Sequence, residues 1–291
     1  MRNVTIAAIQ MSCQGTREEN IEKAVSMVRE AAKMGGQVIL LPELFETWYF
    51  CQEKDYGHYD LARPLMEDPG ISALQPVAKE LGVVLPVSFY EAARNTTYNT
   101  VAMIDADGEI LGTYRKTHIP DDHFYQEKFY FTPGDTGFKV FNTKFGAVGC
   151  GICWDQWFPE SARCMAMMGA EMLLYPTAIG SEPILDCDSM PHWRRCMQGH
   201  AGCNLMPLAA ANRIGLETVT PNDNNQHQSS SLTFYGSSFI ADETGALVED
   251  ASRDKEEILV HTFDLDAVRE MRMSWGVFRD RRPNMYGEIT K

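Results

Sequence analysis

The apolar positions divide the chain into alternating strands and helices. Residues 4–11 (VTIAAIQM) are almost all apolar and read as a buried strand. From 17 to 34, Ile21, Ala24, Val25, Val28, Ala31 and Ala32 recur at helical spacing, and Gly35-Gly36 stops the helix. A second apolar strand, 37–41 (QVILL), runs into Pro42-Glu43. The pattern predicts a helix over 70–81 and strands at 83–90 and 99–105. Asp107-Gly108 is a tight-turn signal, so 109–116 returns as a hairpin partner. Strands follow at 138–142 and 146–152, then a helix at 159–169, a strand at 171–175, a helix at 191–203 and a strand at 206–211. A hairpin pair near 236–249, a strand at 257–264 and a short helix at 265–273 complete the series. The stretch 217–231 is rich in Asn, Gln and Ser and reads as an exposed loop. The tail 279–291 has no periodicity: it either frays or wraps a neighbouring subunit.

Helices alternate with strands, but hairpins interrupt them. That argues for an α/β chain with a mixed sheet layered by helices, in one domain over 1–291. The length of 291 residues would allow two domains, and one large α/β domain fits as well. A net charge of -14 repels phosphate backbones and anionic membrane surfaces, which excludes nucleic acid as the expected partner and suits a cationic substrate. No apolar run approaches the ~20 residues of a membrane span, and the run at 4–9 is too short for a signal-peptide core. The expectation is a cytoplasmic protein whose eight cysteines are reduced thiols.

Three polar residues end apolar strands: Glu43, Lys116 and Cys153. Ligand sites of open α/β sheets gather at such strand ends, so the three are expected to converge. Cys153 lies in GCGICWDQW, a strand, a sharp turn and then a helix, the arrangement that exposes a nucleophile beside backbone N–H groups. A cation and a helix start nearby would lower its thiol pKa. A buried, inert cysteine is the alternative, and it is the expectation for Cys13, Cys51, Cys164, Cys187, Cys196 and Cys203. Cys150 and Cys153 also form a CxxC pair, but no second pair of matching spacing supports zinc. Taken singly, Glu43 reads equally as a strand-end carboxylate and Lys116 as a surface amine.

The combination carries more. LLPELFETWYF at 40–50, YRKTHIP at 114–120, EKFYFTPGD at 127–135 and GCGICWDQWFPE at 149–160 stand in the order and spacing of the nitrilase superfamily of carbon–nitrogen hydrolases, which the chain resembles from AAIQM at 7–11 to RRPNMYGEI at 281–289. More narrowly, PELFETWYFCQ, YQEKFYFTPGDTGFKVF and YPTAIGSEP are similar to its N-carbamoylputrescine amidase branch.

The resemblance implies a nitrilase-like four-layer α-β-β-α sandwich, dimers assembled into a homo-oligomer, and no metal or organic cofactor. It places a Glu–Lys–Cys triad on Glu43, Lys116 and Cys153, with Glu127 as a second glutamate that positions substrate and lysine. Cys153 would attack as a thiolate and Glu43 would move the protons. Lys116 and the backbone N–H of Trp154 would hold the oxyanion. The implied partner is a small cationic ureido substrate. Glu182 is the expected carboxylate for its ammonium, with Asp186 and Asp188 as alternatives. Tyr49, Trp154 and Thr177 are expected to line the substrate, the two aromatic rings along its carbon chain. A carbamoyl-amino-acid or ω-amide hydrolase would instead need an arginine for a substrate carboxylate; Arg194, Arg195 and Arg213 are available. His123 departs from the small or polar residue expected there and reads as an exposed loop histidine. The methionines of 165–168 read as a helix face packed into the core.

Overall fold

The structure, a computed structural model, describes residues 1–181 and 186–291. It opens with β1 (Asn3–Ser12), α1 (Arg17–Lys33), β2 (Val38–Leu40), α2 (Pro69–Leu81), β3 (Leu85–Ala93), β4 (Thr96–Ile104) and β5 (Ile110–Arg115). The single turn α3 (Glu127–Tyr130) precedes β6 (Val140–Thr143), β7 (Gly146–Cys150), α4 (Pro159–Met167), β8 (Met172–Pro176), β9 (Gly180–Ser181) and α5 (Met190–Asn204). β10 (Leu208–Ala211), β11 (Arg213–Val219), β12 (Ser230–Tyr235), β13 (Phe239–Ala241), β14 (Leu247–Asp250), β15 (Glu257–Asp264) and α6 (Leu265–Trp275) follow. Helix α1 starts where the sequence supplies a capping box: the Thr16 hydroxyl accepts from the Glu19 amide, and the Glu19 carboxylate accepts from that of Thr16.

One sheet is built around β1. It pairs antiparallel with β15, parallel with β2, and at Met11–Ser12 parallel with β11. Beyond β11 lie β12 and β9, and a parallel bridge from Val38 to Val84 leads from β2 to the β3-β4-β5 meander. The second sheet runs β14-β13-β10-β8-β7-β6, parallel in the middle with an antiparallel hairpin at each edge.

Strand alternation sorts the side chains into layers. Ile6 and Ala8 face the space between the sheets, where they meet Cys150, Leu174 and Ala211 of the second sheet. Their neighbours Ala7 and Ile9 face the other way, onto Val28 of α1 and Leu74 of α2. In the second sheet Leu173 and Leu208 face outward onto Met165 of α4 and Trp193 of α5. The result is the four-layer α-β-β-α sandwich. Among the described residues no helix is long and apolar enough to cross a membrane.

Some expectations need correcting. Residues 217–231 are not one exposed loop: 217–219 finish β11, 230–231 start β12, and Asn225 between them is buried. The Asn225 amide reaches Glu53 at 2.6 Å, so the polar composition reflects internal hydrogen bonding as well as solvent. Of the methionine cluster only Met165 is buried; Met167 and Met168 are exposed beyond the face of α4 that packs. Cys164, Cys187 and Cys203 are also exposed, not buried.

Leu174 sits fully buried where the two sheets meet. Leu174→Ala should cost about 2–5 kcal/mol of stability through the cavity it leaves. Denaturant unfolding checks this: the midpoint should fall with the slope unchanged.

Candidate active site

Lys116 follows the end of β5, where its amide bonds to the Asn99 carbonyl of β4 at 2.8 Å. Its side chain is completely buried. An ammonium there needs partners, and it has two: Glu43 Oε1 at 2.8 Å and Glu127 Oε2 at 2.6 Å. Glu43 is delivered by the end of β2 and held by its amide on the Thr177 carbonyl at 3.3 Å. Glu127 comes from the first position of α3.

The two carboxylates differ in how they are occupied. Glu43 Oε1 accepts from both Lys116 and the Asn99 amide, the latter at 2.7 Å, whereas Oε2 is buried without a hydrogen-bond partner. Glu127 uses both oxygens: Oε2 accepts from Lys116, and Oε1 accepts from the Tyr49 hydroxyl at 2.6 Å. One glutamate is thus pinned on both sides, and the other keeps one oxygen unengaged.

Cys153 lies past the end of β7. Gly151 makes the approach possible, because a Cβ there would meet a Tyr175 ring carbon at 2.7 Å. Cys153 itself has φ of +40°, a left-handed conformation that costs a non-glycine residue about 1–3 kcal/mol. The strain turns Cys153 out of the strand line and starts the short 3-10 turn Cys153–Trp157 ahead of α4. Its thiol donates to the Ala178 carbonyl at 3.7 Å.

Burial dominates the electrostatics. It would lower the Lys116 pKa, but the charges of Glu127 and Glu43 outweigh it and keep the ammonium protonated. Burial, with the Glu43 charge adding to it, raises Glu127 to about 7; Lys116 opposes both. Burial and the Glu43 charge also push the Cys153 thiol well above its ordinary value, and Lys116 only partly offsets them. This corrects the expectation of a lowered thiol pKa. The resting residue is a thiol, so acting as a nucleophile would require a base, and Glu43 is the carboxylate whose charge acts on it most strongly.

A cavity of about 250 Å³ opens at Cys153. Its wall includes Asp121, Asp122, Tyr125, Glu127, Trp154 and Gln156. Trp154 is where the sequence puts it, on the wall and half-exposed. Tyr49 and Thr177 are not among the wall residues. Tyr49 stands behind Glu127 as its hydrogen-bond donor. Thr177 is buried, and its hydroxyl is engaged with Gln156 Oε1 and the Tyr175 carbonyl at 3.2 and 3.1 Å. Glu182 lies outside the described residues. Asp188 pairs with Arg253 at 2.6 Å, and His123 is exposed.

The sequence did not single out Asn99, Gln156, Asp121 or Asp122. Asn99 carried no local signal, since it stands among Thr96, Thr97 and Thr100 in the polar half of β4.

Two of the rival arginines have other duties, and the third, Arg195, is exposed and not on the cavity wall. Arg213 is fully buried and donates to the carbonyls of Glu43, Leu44 and Thr47 at 2.8, 2.9 and 3.1 Å. It also pairs with Glu217, which accepts the Tyr49 amide at 2.6 Å, so the loop carrying Glu43 is clamped from β11. Arg194 donates to the Ser237 carbonyl and pairs with Asp250 at 3.1 Å. Among the described residues no group of three or more His, Cys, Asp or Glu side chains is arranged to hold a metal ion.

A family model described as carbon-nitrogen hydrolase matches residues 5–273. The chain is 56% identical over 286 residues to an N-carbamoylputrescine amidase of Solanum tuberosum, covering 98% of this chain and 94% of that protein. A citrullinase of Francisella tularensis subsp. tularensis is 50% identical over 292 residues, with 100% and 99% coverage. The crystal structure of a carbon–nitrogen hydrolase from Helicobacter pylori G27 superposes with a TM-score of 0.90 at 37% identity, covering 99% of each chain. The chain belongs to the carbon–nitrogen hydrolase family.

The Glu127 carboxyl makes a testable prediction. Its ordinary value is 4.5 and burial raises it to about 7, so folding favours its neutral form. That stabilisation is complete below the ordinary value and is lost as pH rises through about 7. Glu127→Gln cannot lose it. The Tm of wild type should therefore fall relative to that of E127Q across this window. A difference that stays constant with pH would mean Glu127 does not titrate there.

Proposed function

We propose that the protein hydrolyses N-carbamoylputrescine to putrescine, carbon dioxide and ammonia through a covalent intermediate on Cys153. The observation that carries the substrate choice is the charge on the cavity wall. Asp121 and Asp122 line it, as does Glu127, whose charge is met by Lys116, and among the described wall residues there is no lysine or arginine. Such a wall accepts an ammonium tail. A substrate bearing a carboxylate, such as citrulline or N-carbamoyl-β-alanine, needs a cation on that wall. Arg213 and Arg194 are committed elsewhere.

The chemistry follows from the side chains. Ureido carbonyls are poor electrophiles, so a sulfur nucleophile is used. Glu43 takes the Cys153 proton as sulfur attacks the ureido carbon. The oxyanion forms against the Lys116 ammonium and the Trp154 backbone N–H, each such donor contributing about 3–4 kcal/mol to the barrier reduction. One C–N bond breaks, and the departing nitrogen takes the proton that Glu43 holds. Glu43 then draws a proton from water, the hydroxide attacks the thiocarbamate carbon, and the C–S bond breaks as Cys153 leaves as a thiolate that takes this proton back from Glu43. The released carbamic acid decomposes to carbon dioxide and the second nitrogen product. Glu127 keeps Lys116 in place throughout, with Tyr49 holding Glu127.

Asp121 at the cavity mouth joins Glu182 as a contact for the substrate ammonium. The same reading places the protein in the cytoplasm, in polyamine biosynthesis, with no nucleic-acid partner. It also carries a homo-oligomer built from dimers. The exposed apolar side chains of Trp275, Met285 and Ile289 near the C-terminus support such an assembly.

Ammonia release from N-carbamoylputrescine, citrulline and N-carbamoyl-β-alanine, compared side by side, tests the reading. The cationic compound should be strongly preferred, and Cys153→Ala should abolish its turnover while leaving the fold intact. Preference for either carboxylate-bearing compound would overturn the substrate assignment. Turnover by Cys153→Ala would overturn the mechanism. Asp121→Asn should raise KM for N-carbamoylputrescine about fivefold, the effect of one partly solvated ion pair, with kcat little changed.

A further inference from the structure

Asp155 is completely buried, two residues past Cys153, and it is absent from the cavity wall although Cys153, Trp154, Gln156 and Trp157 all line it. Its carboxylate points instead toward the lysine-bearing turn. Oδ2 accepts from the Tyr114 hydroxyl at 2.7 Å and from the Ile152 amide at 3.0 Å. Oδ1 accepts from the His118 amide at 3.0 Å and contacts His118 Nδ1 at 2.7 Å. Tyr114 and His118 bracket Lys116, and Ile152 immediately precedes Cys153. One carboxylate therefore binds both sides of the lysine turn and the entrance to the nucleophile elbow.

The clamp is itself braced. The His118 ring lies flat on Phe158, with centroids 3.7 Å apart and planes 6° apart. The Tyr114 hydroxyl also bonds to the Thr117 hydroxyl at 3.0 Å. Backbone bonds hold Lys116 to Asn99 and Gly134, but none of these reaches the elbow. Side-chain bonds through Asp155 are what tie the turn to the strained Cys153.

We propose that Asp155 is a positioning residue for the reaction. Through Tyr114, His118 and Ile152 it sets the Lys116 ammonium and the Cys153 sulfur at the separation that the oxyanion requires. The proposal rests on the mechanism given above. Its logic is geometric: oxyanion donors act only when aimed at the developing charge, and Asp155 holds donor and nucleophile in one frame.

Three variants test this. Asp155→Asn should lower kcat for N-carbamoylputrescine about 100-fold with KM within about threefold, because misplacement by about 1 Å has that effect on rate. Alkylation of Cys153 by iodoacetamide, followed on the Cys153 peptide by mass spectrometry, should slow as well. That arm needs no substrate, so it judges the clamp even if the wild type prefers a different ureido compound. His118→Ala should lower kcat about tenfold, and His118→Asn, whose amide can replace Nδ1 as donor to Asp155, should restore most of it. Unchanged kcat and alkylation in Asp155→Asn would overturn the proposal. If that variant does not fold, the His118 pair decides: wild-type rates in His118→Ala, or equal losses in both His118 variants, overturn it.

Discussion

A lysine ammonium buried out of contact with water governs this structure. Such a charge is tolerated only when opposite charges meet it at hydrogen-bond distance, because removing an ion from water costs several kcal/mol even after relaxation. Lys116 therefore forces Glu43 and Glu127 to one point, and they arrive from distant parts of the chain, the end of β2 and the start of α3. Each carboxylate then needs its own support. Asn99 and the Arg213 clamp hold the Glu43 side, and Tyr49 holds Glu127. The Tyr49 amide in turn rests on Glu217, the partner of Arg213. Two buried cations and their partners thus close into one network. In the proposed mechanism, Lys116 held this way would need little reorganisation when the oxyanion's charge develops beside it.

The nucleophile obeys a second constraint. A thiol in this pocket is more neutral than in water, since burial and the Glu43 charge both oppose the thiolate. The site therefore does not store an activated sulfur. It places Glu43, with one unengaged oxygen, near a protonated sulfur, and in the proposed mechanism the proton moves when substrate is present. The positive φ of Cys153 and the close packing of Gly151 on Tyr175 are the local strain of that placement, and the sheet beneath supplies the rigidity to sustain it.

The sequence made much of this legible, for definite reasons. Ile6, Ala7, Ala8 and Ile9 read as a strand covered on both faces, and the structure buries their two faces in different cores. Glu43, Lys116 and Cys153 were visible because polar residues at the ends of apolar strands are conspicuous. What stayed hidden depended on distant pairing. The end of β11 and the start of β12 looked like loop because Glu217 and Ser230 find partners, the Tyr49 amide and Gln52, across the fold and not in the local pattern. Tyr49 and Thr177 were assigned to the substrate although their hydroxyls are engaged by Glu127 and Gln156, which no spacing reveals. Asp155 stood in full view within the elbow motif, yet its role depends on a turn met far earlier in the chain.

The placement of charge along the cavity also bears on which substrates can react. A cation brought beside Lys116 would repel it and weaken its hold on Glu43 and Glu127, with little solvent to screen the effect. The reacting end of a substrate must therefore be neutral, which a ureido group is. In the proposed reading its ammonium sits at the mouth, where Asp121 and Asp122 are exposed and water screens them. A four-carbon spacer separates those two requirements. In citrulline the same spacing brings a carboxylate and an ammonium to the mouth together, and the acidic wall opposes the carboxylate. On the proposed reading, the catalytic cluster fixes what can react, and the charge at the mouth distinguishes among ureido compounds that share the same reacting group.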